Sequence, residues 1–129
     1  MGLIDKGKTL TSWQHAALTY ALMGTLSAGD YLGDTSAETG LSLPAGMLEA
    51  IHYNAGTESG SGTEITVHNV TAGTSVTLTP DGSANSVDVT LPFDSGDELA
   101  LEVTSVDGTT AGANVQLALD YHKGFTSST

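Results

Sequence analysis

Glu98-Leu-Ala-Leu-Glu-Val103 is the stretch on which the fold turns. Leu99, Leu101 and Val103 share one side of a period-two ribbon and Glu98, Ala100 and Glu102 the other, so the segment reads as a strand buried on one face. The same alternation recurs outward along the chain. Asn114 to His122 sets Val115, Leu117, Leu119 and Tyr121 inward against Gln116, Ala118, Asp120 and His122 outward. Val87, Val89 and Leu91 alternate with Asp88 and Thr90, Val76 and Leu78 with Ser75, Thr77 and Thr79, and Ile65 and Val67 with Glu64, Thr66 and His68. Met47 to Tyr53 also reads as a strand, but its parity leaves open whether Met47, Glu49, Ile51 and Tyr53 or Leu48, Ala50 and His52 face inward.

Between these runs lie Gly56-Thr-Glu-Ser-Gly-Ser-Gly62, Thr71-Ala-Gly73, Pro80-Asp-Gly82, Phe93-Asp-Ser-Gly-Asp97 and Asp107-Gly108, residues suited to turns. Their spacing of about 8 to 12 residues is that of an all-β sandwich, and successive strands are expected to pair often as hairpins. Ser12 to Met23 is rich in helix formers, and Ser12 has the chemistry of an N-cap. Read with period two, however, Ala16, Leu18, Tyr20 and Leu22 form one apolar stripe, and a helix here would lack a charged face for solvent, so the segment is read as a strand. The expected organisation is an N-terminal arm over 1–11, one β-sandwich over 12–123 and a polar tail over 124–129.

At 129 residues the chain has the size of one domain with one core. Fifteen acids face three lysines and no arginine, a formal charge of −12, which sets aside nucleic acid as a partner. Lys6, Lys8 and Lys123 stand near the ends, leaving the acids of the body without a basic residue to offset them. Their repulsion is weakly screened at a Debye length of about 8 Å and largely screened at about 3 Å in molar salt, so a halophilic source is expected. There is no cysteine, hence no disulfide or thiolate zinc site. No apolar run approaches the roughly 20 residues of a spanning helix, and no signal-peptide core follows Met1; the chain is expected to be soluble and made in the cytoplasm.

No catalytic signature emerges. His15, His52, His68 and His122 fit no metal-ligand spacing, and parity puts His68 and His122 on outer strand faces. Asp94 to Glu98 and Asp30 to Asp34 offer oxygens for calcium without the spacing of the helix-loop-helix site, and Asp97 is more simply a cap on its own turn. Gly56 to Gly62 lacks the lysine of a phosphate cradle and reads as a hairpin loop. Ser59 and Ser61 lie outside any nucleophile elbow. No cofactor is expected.

Taken together, Gly24-Thr-Leu-Ser-Ala-Gly-Asp-Tyr-Leu32, Leu43-Pro-Ala-Gly-Met-Leu48, Gly62 to His68, Ser95-Gly-Asp-Glu-Leu-Ala-Leu-Glu-Val103 and Ala113 to Leu119 resemble the small jelly-roll domains of tailed-virus virions. Such domains occur in head decoration proteins, turrets, head fibres and tail fibres, and the resemblance spans about residues 13–122. It implies an antiparallel β-sandwich of jelly-roll type with about eight strands and a non-enzymatic virion role, with no catalytic residue to carry over. With the acid excess, it further implies a haloarchaeal virus. The expected partners are a second and further copies of the chain, as a trimer or pentamer, and other virion proteins such as the major capsid protein. Lys6 and Lys8 on the arm are the candidate docking residues, and Trp13 and Tyr20 the candidate oligomer seam. The alternative is a receptor- or carbohydrate-binding module of a tail fibre, which would want an exposed aromatic platform; one Trp and four Tyr make that platform thin.

Overall fold

The structure, a computed structural model, describes residues 15–33, 35, 36 and 38–123, with residues 15–17 described by backbone alone. The expected arm and tail, and with them Lys6, Lys8 and Trp13, lie outside the described residues. Within these bounds the chain is all β: β1 (His15–Thr25), β2 (Tyr31–Leu32), β3 (Leu41–Ser42), β4 (Gly46–Ser59), β5 (Glu64–Asn69), β6 (Thr74–Leu78), β7 (Gly82–Phe93), β8 (Glu98–Ser105) and β9 (Ala113–Lys123). One sheet runs β1-β9-β4-β7, the other β2-β8-β5-β6, with β3 also on β8, and every pairing is antiparallel.

β2 and β3 are two halves of one strand. Tyr31 and Leu32 face Glu102 and Leu101, and Leu41 and Ser42 continue along the same partner against Leu99 and Glu98. At the break the Thr35 hydroxyl donates to the Leu32 carbonyl at 2.7 Å and accepts the Leu101 N–H at 3.2 Å, standing in for a strand carbonyl. Nine segments thus fill the eight positions of a jelly roll, two four-stranded layers folded face to face.

The inward stripes read from the sequence are the core. Leu99, Leu101 and Val103 of β8 and Val115, Leu117, Leu119 and Tyr121 of β9 are buried together with Leu48, Ile51, Ile65, Val67 and Leu91. Phe93 meets Tyr121 edge to face, ring centroids 5.8 Å apart. β1 is a strand, as expected. Leu18, Tyr20 and Leu22 pack against this core, and pairing with β9 outweighs the helix propensity of alanine, leucine and methionine.

Two expectations are corrected and one open reading is resolved. Among the described strands, only β5 and β6 are consecutive and pair as a hairpin; the other turns carry the chain to the opposite sheet or, between β2 and β3, along the same edge of β8. Turn residues fix where a chain reverses and leave open which layer it enters. Residues 56–59, read as loop, belong to β4, because β9 keeps pairing there, Ala55 with Val115 and Thr57 with Ala113. The ambiguous parity of β4 comes from a bulge: Leu48 faces Tyr121 and Ala50 faces Asp120, so Glu49 is an extra residue and both Leu48 and Ile51 point inward.

Candidate functional site

A cleft of about 300 Å³ opens on the outer face of the β2-β8-β5-β6 sheet. Its floor is Ala100, outward by parity yet fully buried, and its walls include Tyr31, His68, Glu102 and the β5–β6 turn at Gly73 and Thr74. Register assembles it, since Glu102 on β8 lies opposite Tyr31 of β2 on one side and Thr66 of β5 on the other. His68, two residues further along β5, reaches back to place Nε2 at 2.8 Å from Glu102 Oε1. The Tyr31 hydroxyl is pushed up from its ordinary pKa by burial first, then by the Glu102 charge and its hydrogen bond to that carboxylate. One carboxylate thus holds an imidazole and a phenol in a fixed arrangement. Beside it the hydroxyls of Thr77, Thr66 and Thr104 form a ladder across β6, β5 and β8, with both O···O distances 3.1 Å.

The opposite sheet carries a second polar row on its outer face. His52 Nδ1 lies 2.8 Å from Ser86 Oγ and Nε2 lies 3.1 Å from Asp120 Oδ2, linking β7, β4 and β9. The residue types are those of a nucleophile, a base and an orienting acid. The setting differs: the His52 and Asp120 side chains are 45% and 52% exposed, so water competes at every atom and the pair works in a high dielectric. A third histidine, His122, has Nδ1 at 3.6 Å from Glu49 Oε2. His68 and His122 are therefore on outer faces as read, and each described imidazole meets a carboxylate across strands.

Two of the carboxylates considered for calcium, Asp97 and Asp30, are engaged in their own turns. Asp97 Oδ2 accepts from Asn69 Nδ2 and the Asp94 N–H, both at 2.9 Å, and these bonds, Asn69 first, hold its carboxyl below the ordinary range. Asp30 Oδ2 accepts the Ser27 N–H at 3.0 Å, and Asp34 lies outside the described residues. Asp107, which the sequence marked only as a turn, accepts the N–H groups of Thr110, Thr109 and Gly62, and these in that order pull its pKa down. It ties the β8–β9 loop to the β4–β5 loop. Among the described residues no three His, Asp or Glu side chains converge on a metal position.

Of the residues singled out from the sequence, Tyr20 is described and faces the sandwich interior, half-buried against the core. Its ring packs on Gly33, where φ is +64° and an added Cβ would stand 2.5 Å from Tyr20 Cδ1. Its hydroxyl is pushed up in pKa by burial. Sequence reasoning missed the joining of Tyr31, His68 and Glu102 and of Ser86, His52 and Asp120. The outward parity of His68, Glu102, Asp88 and Asp120 was readable, but which strands lie side by side was not.

No protein-family model matches the chain, and no curated protein matches it. The chain is similar to a protein in the cryo-EM structure of a virus-like particle of the giant freshwater prawn Macrobrachium rosenbergii extra small virus. The identity is 10%, the similarity covers 87% of this chain and 80% of that one, and the TM-score is 0.33.

Proposed function

We propose that the chain is a non-enzymatic virion structural protein, a capsid decoration or turret module that forms a homo-oligomer and docks on the capsid surface. The observation that carries the reading is the filling of the jelly roll. Both inner faces are sealed by Leu, Ile, Val, Phe and Tyr side chains, so whatever the domain does it does with its outer faces and edges. Those faces are rigid ladders of short polar and acidic side chains. The excess of carboxylates fits a particle assembled in concentrated salt, in a haloarchaeal host, and the lysines of residues 1–11 fit an arm that docks on an acidic lattice. Copy number, three or five in this reading, supplies attachment strength that one small contact lacks.

The test is to label particles released from the source culture with antibody to the full chain. Gold over the heads is the expected result, and label confined to cells overturns the reading. In the same preparation the melting temperature should rise between low and molar salt; indifference to salt removes the halophilic part. One observation favours the second reading, a glycan- or receptor-binding module: the cleft of Tyr31, His68 and Glu102 pairs an aromatic ring with a polarised carboxylate. Label at tail tips, with retention of the chain on a glycan array that Glu102→Gln abolishes, would put that reading first.

A further inference from the structure

The sequence holds two Asp-Gly dipeptides, Asp81-Gly82 and Asp107-Gly108, and no Asn-Gly. In each, the residue after the aspartate has no side chain, so its backbone nitrogen is sterically open to the Cγ before it. At both glycines an added Cβ would meet nothing within 4 Å, so neither is walled off by a neighbour. The two nitrogens are alike and the two carboxylates are not. Asp107 is clamped: Oδ1 accepts the Gly62 N–H at 3.1 Å, and Oδ2 accepts those of Thr109 and Thr110 at 3.1 and 2.9 Å. The β4–β5 loop closes over it, since a Cβ on Gly60 would stand 2.6 Å from Asp107 Cγ. Asp81 is exposed, and among the described residues its carboxylate has no hydrogen-bond or ion-pair partner; its N–H alone is engaged, donating to Asn85 Oδ1 at 2.7 Å.

We propose that Asp81-Gly82 is a site of spontaneous backbone modification in the folded protein, passing through a succinimide to isoaspartate, and that Asp107-Gly108 is protected from the same change. The Gly82 nitrogen attacks Asp81 Cγ; a C–N bond forms, the carboxyl C–O bond breaks, and the hydroxyl leaves with the amide proton as water. Water then adds to one of the two ring carbonyls. Opening at Cγ restores aspartate, and opening at the Asp81 backbone carbonyl leaves the chain running through Cγ, one methylene longer, with a free α-carboxylate. The water lost is regained, and no oxidant or other co-reactant is consumed. At Asp107 the side chain must first give up three charge-assisted hydrogen bonds before it can turn onto the Gly108 nitrogen. The same bonds hold its carboxyl below the ordinary range and so deplete the neutral acid whose hydroxyl departs. At Asp81 the added methylene falls where the chain passes from β6 in one sheet to β7 in the other, directly before Gly82 pairs with Ser59. The inference does not depend on the virion reading.

The test keeps the full chain folded at neutral pH in molar potassium chloride beside a sample unfolded in guanidinium chloride, until the unfolded sample shows conversion at both sites. Digestion with an endoprotease that cleaves before aspartate and passes over isoaspartate, read by mass spectrometry, gives the conversion at each site, and circular dichroism confirms which sample is folded. The unfolded chain has no clamp, so the two sites should convert at similar rates there, and folding should raise the ratio of conversion at Asp81 to that at Asp107 by about tenfold or more. Asp81→Glu, whose longer side chain closes the ring far more slowly, should remove the folded-state signal and leave conversion at Asp107 in the unfolded sample unchanged. A ratio that folding leaves unaltered, or a folded sample that converts at Asp107 alone or at neither site, overturns the proposal.

Discussion

The two outer faces of the sandwich are built from the same kind of ribbon and differ in what they do with charge. On the β2-β8-β5-β6 side, Glu64, Glu98 and Glu102 stand among threonines, and Glu102 is tied to His68 and Tyr31 over a buried alanine. On the β1-β9-β4-β7 side, acids are pushed to the borders and the middle is alanine, threonine and amide. One face thus mixes its carboxylates with hydroxyls and an imidazole, and the other confines them to its ends.

The largest expected effect comes from one substitution made on both faces. Ala100→Asp places a carboxylate at a fully buried position next to Glu102 and should lower stability by about 3 kcal/mol or more. Ala118→Asp, half-buried on the other face, should stay within about 1 kcal/mol. Urea unfolding of both variants measures this, and equal losses would erase the distinction between the faces.

Tyr121 reports on the acidic side from inside the core. Its hydroxyl, bonded to the Pro44 carbonyl, is pushed up to about 12 by burial and then by the charge of Asp97. A tyrosine neutral in the fold above the pKa of the unfolded chain, about 10, stabilises fully below that pH, and the contribution is lost as pH rises toward 12. Tyr121→Phe should therefore cost about 1 kcal/mol at neutral pH through the missing hydrogen bond and flatten the alkaline loss. In Asp97→Asn the Tyr121 titration should move down; no movement would mean that burial alone sets it.

A smaller effect separates the His68–Glu102 pair from the His52–Asp120 pair. Glu102→Gln removes the charge beside Tyr31, so its phenol should titrate nearer the ordinary tyrosine range in difference spectra, while Asp120→Asn should leave the tyrosines unmoved. The smallest is Ser86→Ala, expected to change stability by less than about 0.5 kcal/mol and to leave hydrolysis of a nitrophenyl ester at the background rate. Ester turnover that disappears with Ser86 would turn the exposed row into a catalytic one and overturn the non-enzymatic reading.

Much of the fold was legible because each inner strand repeats its parity over several residues. Leu99, Leu101 and Val103, and Val115 through Tyr121, declare their buried side without knowledge of any neighbour. The inward face of β4 was not legible, since one bulged residue at Glu49 inverts a strict period of two. The cleft was not legible either. Tyr31 belongs to a two-residue strand inside a stretch considered for calcium, and it meets His68 only because β8 lies between β2 and β5. For the uncharged middle of the β1-β9-β4-β7 face half the signal was present, in the lack of charge that argued against a helix at Ser12 to Met23. The other half, the alignment of Asn54 and Gln116 beside it, is a property of register between strands remote in sequence.

The pairing of β1 with β9 has a consequence for biosynthesis. β9 sits between β1 and β4, so on a ribosome the first strand waits for nearly the whole domain to be translated before its partner emerges. High contact order of this kind slows folding and leaves nascent strands unpaired for longer, where the density of carboxylates keeps neighbouring nascent chains apart.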